Sequence, residues 1–292
     1  MAAEHIKKWQ VGDVEIARIV EVNNHTDPFT MINPDLTAQD ALKHDWLKPH
    51  FITEDGRMKI SFQCFVLRSG KDCVMIDTCI GNGRHREFDI FTNMRTSFLE
   101  DLAAAGFPRG SITKVLCTHL HFDHVGWNTM LVDGKWVPTF PTARYYFGKE
   151  EYAHWKELER TGEYHDLTHM GDSINPVVDA GLVELVGPTA QITDEVSIFP
   201  TPGHTPGHVS VLIRSKGAEA VITGDMMHHP LQFAEWAREV NFDMDKEQGV
   251  KSRRAFIERV ADKKVLVIGT HFCHPTSGYV SSDTTNWKFK AD

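Results

Sequence analysis

Five apolar runs in this chain each end in a polar cluster: "VMIDTCIGNG" (74–83), "VLCTHLHFDHVG" (115–126), "SIFPTPGHTPGH" (197–208), "AVITGDMMHH" (220–229) and "VLVIGTHFCH" (265–274). This recurrence constrains the fold more than any other feature. In a layered α/β protein, loops at matching strand ends gather along one edge, where ligand sites form. The five clusters are therefore expected to converge. Imidazoles and carboxylates crowded there would be costly to bury unless each had a partner.

Runs at 14–20, 63–70, 73–77, 114–119 and 209–215 read as strands bounded by turn residues. Helical spacing appears at Met94, Phe98, Leu99, Leu102 and Ala105, again from Glu150 to Arg160, and from Arg253 to Ala261. No linker, repeat or composition break interrupts this alternation, which predicts one α/β domain over 1–292. The irregular stretch 23–57 carries Pro28, Pro34 and Pro49 among Phe, Trp and Met. It reads equally as a cover over an active site or as a surface loop.

Composition narrows the function. With 292 residues, 41% of them apolar, the chain can bury a sizeable core. Its 31 basic and 40 acidic residues, with no Lys/Arg block longer than two, argue against nucleic acid as a partner. Cys64, Cys73, Cys79, Cys117 and Cys273 form no C-x-x-C pair and read as free thiols, so a cytoplasmic location is expected. The N-terminal segment lacks the apolar stretch of a secretory signal and no run is long enough to span a bilayer, so no membrane partner is expected.

In "THLHFDH" (118–124), His119, His121 and Asp123 share the period of two of an extended backbone and would lean to one side. His124 then turns away or begins a helix. One metal would not use all four; two neighbouring metals would. Imidazole nitrogen and carboxylate oxygen suit zinc first, with manganese and iron also fitting. His204 follows the Pro202-Gly203 turn and is expected to point inward, with His208 as a supporting or packing residue. Asp225 ends an apolar run, where a metal-bound carboxylate is less costly than an unpaired one, so it is the natural bridge between two cations.

The remaining unusual residues have plainer readings. His5, His25, His44, His50, His85, His154, His165 and His169 are taken as ordinary core or surface histidines. Phe122, Trp127, Trp236 and Phe272, with Phe29, Met31 and Trp46, are candidate pocket walls for an acyl or aryl group, although aromatics also dominate cores. His228 is read as a supporting or pocket residue and His229 as a supporting one, neither of them catalytic.

The order H-x-H-x-D-H, a histidine in a Gly-His turn, an aspartate after a strand and a last histidine near the C-terminus resembles the metallo-β-lactamase superfamily. The resemblance implies a four-layer αββα sandwich with pseudo-twofold halves. It implies His119, His121 and His204 on one metal, Asp123, His124 and His271 on another, Asp225 bridging them, and Asp77 as a structural or supporting residue. Asp225 in place of a cysteine argues against the common cysteine-containing zinc β-lactamases. The short segment after His271 argues against glyoxalase II-like thioesterases, and the absence of an inserted domain argues against the RNA-processing nucleases.

The stretches "GDMMHHPLQF" and "IGTHFCHPTSGYV" are similar to the branch containing methyl parathion hydrolase-like enzymes and N-acyl homoserine lactonases. The expected function is hydrolysis of a small-molecule lactone or ester. Two divalent ions would supply hydroxide at neutral pH, and Asp123 and Asp225 would be the catalytic carboxylates. The alternatives are an organophosphate triester hydrolase and a mononuclear iron oxidoreductase resembling persulfide dioxygenases. A metal-stabilised binding module is disfavoured, because a scaffold needs only a closed four-ligand site. A homodimer is left open.

Overall fold

The strand-forming runs pair into two mixed sheets in the computed structural model, which describes residues 6–283 and 286–292. The first sheet holds β1 (Ile6–Val11), β2 (Val14–Asp27), β3 (Met58–Ser69), β4 (Asp72–Ile76), β5 (Lys114–Leu116), β8 (Arg144–Gly148) and β9 (Val183–Val186), adjacent in that order. Between β5 and β8 the chain forms a separate hairpin, β6 (Thr129–Val132) with β7 (Lys135–Pro138). The second sheet runs in chain order: β10 (Val196–Pro200), β11 (Val209–Ser215), β12 (Ala218–Ile222), β13 (Val265–Ile268), β14 (Ser277–Asp283) and β15 (Asn286–Ala291). The expected strands at 14–20, 63–70, 73–77, 114–119 and 209–215 fall on β2, β3, β4, β5 and β11.

Alternation of side chains along each strand builds one core between the sheets and one beneath each helix layer. On β3, Phe65 and Leu67 face the second sheet, where they share a cluster with Val211, Ile222 and Ile268. Their neighbours Cys64 and Val66 face outward onto Phe98, Leu102, Trp155 and Val177, which come from helices. The second sheet repeats the scheme: Leu266 and Ile268 point inward, while Val265 and Val267 meet Leu231, Phe233, Phe256 and Ile257 on the far side. The layers are thus helix, sheet, sheet, helix, the αββα sandwich that the resemblance implies.

The last helix is longer than its apolar spacing suggests, running Lys246–Val260 instead of starting at Arg253. Its first turns are polar and invisible to a hydrophobic period. The Asp245 side chain accepts from the Gln248 N–H and caps that end.

Strand direction explains the convergence of the polar clusters. β4 and β5 are parallel, with Ile76 opposite Leu116, so Asp77 and the loop from Cys117 leave at one edge. β12 and β13 are parallel too, with Ile222 opposite Ile268, which brings out the loops carrying Asp225 and His271 together. β10 is antiparallel to β11, and β11 to β12, so the loop 201–208 after β10 opens at that same end.

The stretch 23–57 packs onto the second helix layer. Phe29, Leu36, Leu47 and Phe51 are buried, and the Phe51 ring lies edge-on to Phe272 and Phe289. His229 fastens it: its Nδ1 accepts from the Leu231 N–H, leaving Nε2–H to donate to the Phe51 carbonyl at 2.8 Å. Burial holds this imidazole near a pKa of about 4, neutral as that bond pattern requires. Phe51→Ala is expected to lower the unfolding free energy by about 3–5 kcal/mol. Chemical denaturation measures this, and a loss below about 1 kcal/mol would mean that the stretch is loosely attached.

Candidate metal centre

One carboxylate organises the first loop. Asp77 closes β4 with a positive φ of 59°. Its Oδ1 accepts from the Thr118 N–H at 2.7 Å, and its Oδ2 faces the Thr118 hydroxyl at 2.9 Å and His124 Nδ1 at 3.0 Å. Beyond His121 the backbone coils into a short helix, Phe122–Val125. The period-of-two grouping of Asp123 with His119 and His121 therefore fails. The helical turn swings Asp123 toward His124, while His119 and His121 stay on the irregular loop before it.

Ring-nitrogen contacts reveal which atoms face inward. His124 Nδ1 is held by Asp77, His271 Nδ1 by the Ser61 carbonyl at 3.0 Å, and His204 Nδ1 lies 3.5 Å from Asp243 Oδ1. A proton on each of those outer nitrogens leaves the Nε2 lone pair directed inward. His119 Nε2 and His204 Nε2 both approach His121 Nδ1, at 3.0 and 2.8 Å. One ring nitrogen cannot bond well to both, whereas three lone pairs facing a common point match a cation.

Asp225 lies between two such sets. Its Oδ2 is 3.5 Å from His204 Nε2 and 3.9 Å from His119 Nε2; its Oδ1 is 3.1 Å from His271 Nε2 and 3.3 Å from His124 Nε2. Asp225 Oδ1 and His124 Nε2 are buried without a hydrogen-bond partner. Donor atoms of His119, His121 and His204 lie within 4.8 Å of one another, as do those of Asp123, His124, Asp225 and His271. Nitrogen and carboxylate donors with inward lone pairs fit divalent metal ions.

The supporting residues divide by contact. His208 Nε2 accepts from the Asp225 N–H at 2.8 Å, and its Nδ1 faces the Thr201 hydroxyl, so it holds the Asp225 backbone. His228 lines the cavity, with Nε2 3.4 Å from Asp225 Oδ2, and groups with His204 and Asp225 as a third set.

Above these groups lies a cavity of about 440 Å³, walled on one side by Ile60, Phe62, Phe91 and Phe122. Of the proposed wall residues, Phe122 and Met31 line it. Trp127 does not: its ring stacks on Phe98 and its Nε1–H donates to Glu21, inside the first core. Phe272 is fully buried among Phe51 and Phe289, and Trp236 packs against Trp287. Phe29 and Trp46 likewise belong to the second helix layer. Conversely His25, His165 and His169 line the cavity. Two register shifts between β2 and β3, around Val22, carry His25 there, and no sequence period signals them. His5 lies outside the described residues.

Burial pushes His119 and His204 well below the ordinary imidazole pKa, His121 and His208 to about 3, and His169 to about 4. For His124 and His271 burial acts in the same sense, but the surrounding carboxylates, Asp225 foremost, outweigh it and raise both. These two are protonated in folded and unfolded chains alike below about 6.5, so they add no slope there. The lowered histidines, His229 included, bind protons only on unfolding between about 6.5 and 4, which erodes stability as pH falls. Buried Asp243, raised to about 6, with Glu21 and Glu151 also raised, works in the opposite sense but is outnumbered. Metal-free protein should therefore show a lower denaturant midpoint at pH 4.5 than at pH 7; an equal or higher midpoint contradicts the neutral-imidazole assignment.

Comparison with known proteins identifies the family. The model of the metallo-beta-lactamase superfamily matches residues 63–271. An N-acyl homoserine lactonase from Bacillus sp. is 23% identical over 234 residues, 75% of this chain and 84% of the relative. The crystal structure of AbOPH, described as a hydrolase in the beta-lactamase superfamily, superposes with a TM-score of 0.78 at 24% identity, over 99% of this chain and 97% of its own. AidC, described as a dizinc quorum-quenching lactonase, gives a TM-score of 0.78 at 20% identity, over 98% of this chain and 97% of its own. With its signature residues inside a match that spans most of its length, the chain belongs to the metallo-beta-lactamase superfamily.

Proposed function

We propose that this chain is a two-metal hydrolase that opens a lactone or cleaves an ester of an uncharged small molecule. The observation that carries the reading is the pair of donor sets on either side of Asp225, at the floor of an apolar-walled cavity. His119, His121 and His204 would hold one divalent ion, Asp123, His124 and His271 the other, and Asp225 both, with zinc the metal favoured by the donors. Such a pair supplies hydroxide at neutral pH and an electrophile for the carbonyl oxygen.

The chain's own groups do the rest. Ile60, Phe62, Phe91 and Phe122 exclude water and seat an acyl or aryl group. Asp123 lines the cavity floor, 3.4 Å from His124 Nε2 and 3.6 Å from His271 Nε2. The neighbouring imidazoles outweigh its burial and hold its carboxyl below the ordinary range, so it is ionised, the form that a metal ligand needs. Tyr164 also lines the cavity; burial pushes its phenol up to about 12, so it stays a hydrogen-bond donor at neutral pH.

Proton release, followed with a pH indicator on a panel of acyl homoserine lactones, simple lactones and aryl esters, tests the reaction. Chelator-sensitive acidification with one class supports it and names the substrate group. Silence across the panel with about one iron per chain would overturn it in favour of oxygen chemistry. Asp225→Ala removes the shared carboxylate and leaves two cations to repel. Metal content should fall below two per chain, and the rate should fall on the order of 100-fold or more. Full occupancy with an unchanged rate would exclude Asp225 from the centre.

A further inference from the structure

Glu151, in the first turn of the helix Lys149–Thr161, is 1% exposed, a placement that a carboxylate tolerates only with several donors. It has them from three directions. Oε1 accepts from the Leu120 N–H at 3.0 Å and from Trp155 Nε1–H at 2.7 Å; Oε2 accepts from the Gly207 N–H at 3.1 Å.

Two of the donors belong to the loops that carry the three clustered histidines, and the third, on the helix of Glu151 itself, packs on one of those histidines. Leu120 lies between His119 and His121 on the loop after β5, in the first sheet. Trp155 sets its ring edge-on to His121, with centroids 5.3 Å apart. Gly207 lies on the loop after β10, in the second sheet. That loop is a tight turn, closed by bonds from Gly203 N–H and His208 N–H to the Thr205 carbonyl, so holding Gly207 holds His204. A Cβ on Gly207 would fall 2.2 Å from the Glu151 backbone nitrogen, which shows how closely helix and loop approach.

The other donor set is fastened by different groups, His124 by Asp77 and His271 by the Ser61 carbonyl. We propose that Glu151 is a positioning residue that ties the loops of the two sheets together, sets the spacing of His119, His121 and His204, and thereby fixes the affinity of one metal position without touching substrate. This rests on reading those three histidines as one ion's ligands. It does not depend on the substrate being a lactone or ester.

Glu151→Gln keeps the shape but turns an N–H toward at least one donor. The zinc-loaded variant should keep one tightly held ion per chain and bind the other 10- to 100-fold more weakly in a chelator competition. Cobalt substitution should show one altered and one unaltered absorption band set. Glu151→Asp, which retains both acceptors on a shorter stem, should weaken the same position less, and Glu150→Gln on the exposed side of the helix should change neither. Two ions held with unchanged affinity in Glu151→Gln would overturn the assignment. So would equal loss of both ions together with a lower melting temperature of the metal-free variant, the signature of a general fold defect. If Glu151→Gln does not fold, the Glu151→Asp competition decides alone, with unequal weakening expected and equal weakening overturning it. Failure of every substrate in the hydrolysis panel would leave these metal readouts intact.

Discussion

A buried carboxylate ringed by imidazoles is the constraint on which the rest of this structure depends. Asp225 lies within 4 Å of His119, His124, His204, His228 and His271, all of them buried. Left to protons alone, such a group is frustrated: burial drives His119 and His204 toward neutrality while the carboxylates draw charge onto His124 and His271. Divalent cations resolve both demands, because neutral imidazoles and ionised carboxylates are the forms that bind them. The outer contacts already prepare those forms, with Asp77 and the Ser61 carbonyl holding Nδ1 protons so that Nε2 lone pairs turn inward.

The sandwich lets two separate sheets share this centre. Each sheet spends one face on the common core and the other on helices, so neither has room within its body for a cluster of this many polar groups. Only the strand ends remain, and the parallel pairs β4–β5 and β12–β13 bring those ends to one edge. The first sheet supplies the segment from His119 to His124 and the second supplies His204, Asp225 and His271. The centre therefore straddles the interface between halves, and its geometry depends on groups that tie the halves together.

What could be read from the sequence divides along physical lines. Short-range periodicity reported the strands, and the excess of polar residues at their ends reported the edge where they meet. Grouping of the ligand-type residues was harder. The period of two placed Asp123 with His119, but four residues of helix after His121 break that period. Aromatic residues were least legible, because Phe122 in the cavity and Trp127 or Phe272 in a core have the same composition and differ only in what the tertiary fold sets opposite them. His25 and His169 reached the cavity by a strand irregularity and by packing on Trp155, neither of which leaves a local mark.

Glu151 was hidden for a related reason. Sequence reading looks for residues at strand ends, whereas this carboxylate lies on a helix, behind the site, and acts largely by accepting from backbone N–H groups, which leave no mark in the residue types. Its role is visible only when the donors are traced to the loops they belong to. Asp77 has a comparable function but stands at a strand terminus, where a lone carboxylate after an apolar run draws notice. The two differ in reach: Asp77 joins Thr118 to His124 within one loop, while Glu151 joins loops from opposite sheets. A centre built across an interface needs both kinds of tie, because fixing each half separately leaves their mutual distance free.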